Sequence, residues 1–232
     1  MRRALIAALA AGFAACLVVT AAQQAVVVPL ILKAEEFEEA GAAKAAPQAA
    51  PAQAQHPHEE EGWKPAEGIE RIAYTALANL GYSVGFALLL VAAFTLAGNK
   101  VDWKRGLAWG AAGFAVFALA PAAGLPPELP GAAAADLLAR QAWWLGTAIA
   151  TAAGLALLVF AKGWPWKALG VLALAVPHIV GAPHPPLDHA GGHGGIVPAD
   201  VATGFIVLSL IVTGMFWAVL GAVSGAVYAR VR

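Results

Sequence analysis

The sequence predicts an all-α integral membrane protein: a bundle of six transmembrane helices with short loops and one flexible, acidic, His-containing outer tether. Three observations predict it. Six stretches, 4–32, 72–99, 106–127, 141–161, 168–187 and 201–229, contain no Asp, Glu, Lys or Arg. The chain is 60% hydrophobic and only 12% charged, about half the charge that a water-facing domain carries. The charges that remain are sorted by sign between alternate connections. A bare charge in hydrocarbon costs about 2.5–3.5 kcal/mol on insertion scales, and a span needs about 20 mostly apolar residues.

Residues 1–32 form the first span. Arg2-Arg3, an apolar core and Ala21-Ala22 also fit a signal peptide. Apolar sequence resumes after Gln23-Gln24 as AVVVPLIL, however, which is long for a cleaved leader, so the reading is an uncleaved helix. The tetrapeptide FAAC ending at Cys16 has an aromatic where a lipobox would not, which argues against lipidation. Residues 33–71 divide in two: KAEEFEEAGAAKAA prolongs the first helix as an amphipathic segment, and PQAAPAQAQHPHEEEGWKP is an Ala/Pro/Gln-rich tether.

Residues 72–232 supply the rest of the bundle, about five further helices. The fifth segment, 167–182, is short and holds Pro177-His178, so a re-entrant segment and a five-span count stay open. Gly81/Gly85, Gly106/Gly110 and Gly221/Gly225 are small-xxx-small pairs and read as packing between helices.

With the amino terminus cytoplasmic, the inner connections hold Arg2, Arg3, Lys100, Lys104, Arg105, Lys162, Lys167, Arg230 and Arg232, against Asp102 alone among the acids. The outer side keeps Lys33, Lys44, Lys64, Arg71 and Arg140 with all the other carboxylates. Basic residues in short loops mark the cytoplasmic face, so a multi-pass protein of the bacterial inner membrane with both termini inside is expected. Trp103, Trp109, Trp164 and Trp166 make an inner aromatic belt; Trp63, Trp143 and Trp144 make an outer one.

A lone Cys16 excludes disulfides, iron–sulfur clusters and thiolate zinc sites within one chain. No nucleotide-binding loop and no nucleic-acid signature is visible, and nothing points to catalysis or to a permanently bound cofactor.

All six histidines fall on the outer half. His56, His58, Glu59, Glu60 and Glu61 stand together in the tether, and His184, Asp188, His189 and His193 share a Pro/Gly-rich loop. Imidazole with carboxylate suits divalent ions such as cobalt, nickel and zinc, and a negative outer surface concentrates them. The same residues also fit a merely solvated segment.

His178 is the only His, Asp, Glu, Lys or Arg placed within a span, which makes it a functional-site candidate; a neutral imidazole bonded to a backbone carbonyl is the structural alternative. Pro177 leaves the Ala173 carbonyl without its helical donor. Gln23, Gln24 and Asn79 are further in-membrane polar groups that either line a pathway or bond helix to helix. Haem would need a second, opposed ligand that the spans do not supply.

The segments QQAVVVPLILKAEEFEE, LAPAAGLPPELPGAAAADLLARQAWWLGT and AVPHIVGAP resemble the CbtA family of cobalt transporter subunits over nearly the whole chain. The matching positions include Gln23, Gln24, Pro29, Glu35, Glu36, Pro126, Pro127, Glu128, Pro130, Arg140, Gln141, Trp143, Trp144, Pro177 and His178. The resemblance implies a membrane subunit of a cobalt uptake system linked to cobalamin biosynthesis, partnered by a small single-span CbtB-like protein with a His-rich end. Family members are often described with five spans. Arg140 is expected to lock the LPPELPG loop by pairing with Glu128 or Asp136.

The expected function is therefore uptake of a divalent metal, cobalt first. The expected partners are the bilayer, a CbtB-like subunit and the transported ion, and a homo-oligomer is compatible. A cytochrome-like or oxidoreductase subunit and a non-transporting assembly subunit are the rival readings.

Overall fold

The computed structural model describes residues 2–45, 65–66, 68–98, 101–130, 132–185 and 197–231. Helix α1 runs Arg2–Ala22, passes through a π-helical turn at Gln23–Val27 and continues as Val28–Ala45. Then follow α2 (Ile69–Ala97), α3 (Trp103–Phe114, a π-helical turn Ala115–Leu119, and Ala120–Ala122), α4 (Leu137–Phe160), α5 (Trp164–Val180) and α6 (Ala199–Arg230). All regular structure among the described residues is helical.

Local chemistry sets several of these boundaries. Asp102 caps α3 by accepting from the Arg105 backbone N–H at 2.8 Å, and Asp136 caps α4 through the Ala139 N–H at 2.9 Å. Each π-helical turn ends two residues before a proline, Pro29 in α1 and Pro121 in α3. A proline ring clashes with the carbonyl four residues earlier and donates no hydrogen bond. Widening the preceding turn, with Val28 N–H reaching back to Gln23 and Ala120 N–H to Ala115, lets both helices run on without a break.

The five-or-six question resolves to six helices that traverse the bundle. Five are long and apolar enough to cross a membrane. The remaining one, α5, has 17 residues, about 25 Å at 1.5 Å per residue, the lower end of the range for a span. It is a continuous helix antiparallel to α4: Gly154 and Gly170 meet at its middle, Lys167 donates to the Leu158 carbonyl near one end, and Trp143 donates to the Pro177 carbonyl near the other. Gly163 (φ 94°) and Gly181 (φ 86°) bound it in a conformation that side-chain-bearing residues avoid.

The chain termini also sit together. Arg3 lies over the Tyr228 ring at 3.9 Å and donates to the Tyr228 carbonyl. An even number of traverses is required to bring both ends to one side. That side carries Arg3, Lys104, Arg105, Lys167 and Arg230; the opposite side carries Glu35, Glu128, Asp136 and Asp200.

The core lies among α1, α2, α3 and α6, with α6 central. Ala7, Ala8, Ala11 and Ala15 give α1 a fully buried face of small residues against α2 and α6. The tightest seam joins α3 and α6, where Gly106 and Gly110 meet Gly221 and Gly225 backbone to backbone. A Cβ on any of the four would overlap the facing chain. The α4–α5 hairpin packs mainly on itself and joins the rest through the last turns of α3, where Gly124 fits under Trp143 and Phe117 meets Trp144.

Gly81 and Gly85 differ from expectation: a Cβ at either meets nothing within 4 Å, because this face of α2 turns away from its neighbours. The glycine pairs therefore separate by function. Gly221→Val is expected to destabilise the bundle by about 1–3 kcal/mol or more through overpacking, whereas Gly85→Ala stays within about 0.5 kcal/mol of the parent. Thermal unfolding of the detergent-purified variants, followed by size exclusion, measures both.

Candidate transport site

A pocket of about 400 Å³ lies between α1, α2 and α6, lined by Val19 and Gln23 of α1, Ala78, Asn79 and Tyr82 of α2, and Thr213 and Phe216 of α6; Ala78 and Tyr82 are exposed, so it opens on the side of the bundle. Asn79 organises it. Its amide nitrogen donates to Gln23 Oε1 at 2.7 Å and to Thr20 Oγ1 at 3.0 Å, so one side chain of α2 holds two of α1. Both donors of Asn79 are thereby used, and its carbonyl oxygen is left as an acceptor beside the pocket. Gln23 opens the π-helical turn, and Gln24, half-buried on the same turn, does not line the pocket. Cys16 lies one turn away, 3.5 Å from the Ala76 carbonyl and 4.0 Å from Thr20 Oγ1.

The depth of the pocket follows from its anchor. Arg71 pairs with Glu35 through both carboxylate oxygens, at 2.9 and 3.4 Å, clamping α2 to the far end of α1. Asn79 is eight residues further along α2, about 12 Å into the bundle from the acidic end. Tyr82 and Phe216, with ring centroids 5.1 Å apart, form its floor.

His178 is not part of this pocket. The α5 helix begins at Trp164, earlier than the expected start of the fifth segment, so His178 falls in its last turn rather than near the middle. Its ring is exposed and meets Trp143 edge-on at 6.1 Å. The contacts of α5 are with α4, while Gln23 and Asn79 sit between α1, α2 and α6; the structure does not bring these groups together. His184 is exposed just beyond α5. His56, His58, Glu59, Glu60, Asp188, His189 and His193 lie outside the described residues. Among the described residues, no three His, Cys, Asp or Glu side chains converge.

Arg140 pairs with Glu128 at 2.6 Å, one of the two expected partners, while Asp136 is engaged as the cap of α4. The LPPELPG loop is thereby tied to the start of α4. Reading the sequence alone missed Thr20, Tyr82 and Thr213. Their signal was spacing: Thr20–Gln23 and Asn79–Tyr82 are three apart and share helix faces.

A six-helix bundle with apolar helices and charges segregated at its two ends is the architecture of a multi-pass membrane protein. The chain belongs to the CbtA family, described as "Probable cobalt transporter subunit (CbtA)", whose profile matches residues 1–229. No curated protein and no solved structure matches it significantly. Family membership makes it a subunit of a cobalt transporter, and therefore one component of a larger assembly.

The Glu35–Arg71 clamp is about one-third exposed on each side, so screening keeps its worth small. A double-mutant cycle over Glu35→Gln and Arg71→Gln, read by thermal unfolding, is expected to give a coupling of about 0.2–1 kcal/mol that shrinks as salt rises.

Proposed function

We propose that the chain is the membrane-embedded subunit of a cobalt importer supplying cobalamin biosynthesis, and that the pocket at Gln23 and Asn79 is a station on the ion's route. The Asn79 latch carries this reading. It is a pair of neutral amides and a hydroxyl held open to a pocket within otherwise apolar helices, on the acidic side of the bundle. Neutral oxygens suit an ion that keeps part of its water shell, since a bare divalent ion would need charge from the protein. The carboxylates of the acidic end raise the local cation concentration before the ion reaches the amides.

On this reading, the imidazole and carboxylate groups of the tether (His56, His58, Glu59, Glu60) and of the 181–200 loop (His184, Asp188, His189, His193) collect the metal outside. His178, at the outer mouth of α5, belongs to this collecting set, with Gln24 beside the entry to the pocket. The basic end faces the cytoplasm, as the positive-inside rule requires. With no nucleotide-binding loop in the sequence, a gradient, the membrane potential or a partner supplies the energy. A small single-span CbtB-like subunit is the proposed partner.

Uptake of radioactive cobalt by cells that lack other cobalt importers tests the reading. Asn79→Leu removes the latch and is expected to lower the initial rate at least about tenfold, equivalent to ~1.4 kcal/mol, at unchanged protein level in the membrane. Replacing the tether histidines raises the cobalt concentration needed for half-maximal uptake and leaves the maximal rate intact. Normal uptake by Asn79→Leu removes the pocket from the route, and an unchanged concentration dependence removes the tether.

A further inference from the structure

On the basic half of the bundle, a cavity of about 640 Å³ separates α4 from α2 and α3, with Trp217 of α6 at its back. Its walls include Phe86 and Leu90 of α2, Ala112 and Val116 of α3, and Leu155 and Val159 of α4. The one ionisable residue among its lining is Arg105, in the first turn of α3. The α4–α5 hairpin joins α3 chiefly at the other end, through Trp143 and Trp144; at the basic end Trp109 and Phe160 meet with ring centroids 6.1 Å apart, and the cavity lies between these two contacts.

Its depth matches one leaflet. From Arg105 to Phe117 is twelve residues, about 18 Å along α3, against about 15 Å for half the hydrocarbon core. Such a space is too apolar to hold ordered water, which needs two to four polar partners. An acyl chain is the neighbouring solvent and fits a narrow apolar slot of this depth. Arg105 and Trp109 line the cavity, and Trp103 and Lys104, exposed on the same first turn of α3, lie 5.6 Å apart, ring centroid to Nζ. Cationic groups with indoles at this level are the surroundings that an anionic headgroup selects.

We infer that this cleft is a binding site for an anionic phospholipid, one acyl chain lying between α2, α3 and α4 and the phosphate on Arg105. The assignment does not rest on the metal route, and its test needs no transport.

The full chain, reconstituted into nanodiscs of equimolar phosphatidylglycerol and phosphatidylcholine, is transferred to mild detergent, and the retained lipid is identified by native mass spectrometry. Wild type is expected to keep about one phospholipid per chain, enriched in phosphatidylglycerol. Arg105→Gln keeps a lipid but loses the enrichment about fivefold, as removal of one basic contact predicts. Ala156→Phe fills the slot and loses the lipid; Ala108→Leu, nearer the mouth, serves if that variant unfolds. A photoreactive side chain at position 156 crosslinks to phospholipid. Undiminished lipid in the filled variants, unchanged enrichment in Arg105→Gln, or crosslinking to a polypeptide instead of lipid each overturns the assignment.

Discussion

Hydrocarbon offers no hydrogen-bond partner to a peptide group, so every departure from regular helix inside the bundle must be absorbed by the protein itself. Prolines at 29, 121 and 177 each remove a donor from a helix. In α1 and α3 the chain widens by one π-helical turn just upstream, which relieves the ring clash and keeps each helix continuous. In α5 the proline sits near the end, where its own carbonyl accepts from the Trp143 indole and the Gly181 amide. The α1 widening begins at Gln23, so the backbone adjustment and the first amide of the pocket share one turn. This is the place in α1 where a polar side chain, an irregular backbone and a cavity coincide.

The α3–α6 seam has the complementary role. With no hydrophobic drive between helices in lipid, close van der Waals contact must hold them, and glycine permits the closest approach. Gly106 and Gly110 against Gly221 and Gly225 lock α6 to α3, and the rings of Phe86, Phe117, Phe216 and Trp217 fill the space above. Phe117 and Trp217 lie parallel, with centroids 5.7 Å apart. By contrast, the hairpin of α4 and α5 has its own small-residue contact at Gly154 and Gly170 and touches the core over a limited stretch. The bundle thus comprises a tight group of four helices and a more loosely joined pair.

Much of this was legible in the sequence because the governing constraint is one-dimensional. Charge-free stretches become helices, and the basic residues gather at one end, without any knowledge of packing. Asp102 and Asp136 announce two helix starts, and the pairing of Arg140 with Glu128 follows from proximity along the chain. The start of α5 was also readable: Pro165 belongs in the first turn of a helix, which would have moved His178 toward the far end. Other features were not readable. Gln23 and Asn79 are flagged as polar residues in spans, but their contact joins positions 56 apart and depends on which faces of α1 and α2 meet. Gly81 and Gly85 carry the same small-xxx-small signature as the seam glycines, and only the packing shows that they face outward. Glu35 and Arg71 are separated by the tether, so nothing local pairs them.

The two cavities share a wall. Tyr82 and Phe216 floor the amide pocket; Phe86 and Trp217, packed against them at steep ring angles with centroids 4.6 and 5.5 Å apart, line the apolar cleft on the basic half. A cation in the pocket therefore faces, in the direction of the basic end, a layer of aromatic side chains with no carboxylate or imidazole among them. In the transport reading this arrangement is closed toward the basic end, and passage requires α2 and α6 to separate at that layer. α6 is held to α3 by glycine backbone contacts, while α2 touches α3 only slightly and is tied to α1 instead. The cleft beside α2 is where such a movement has room, and whatever occupies that cleft sets how much of the room is available.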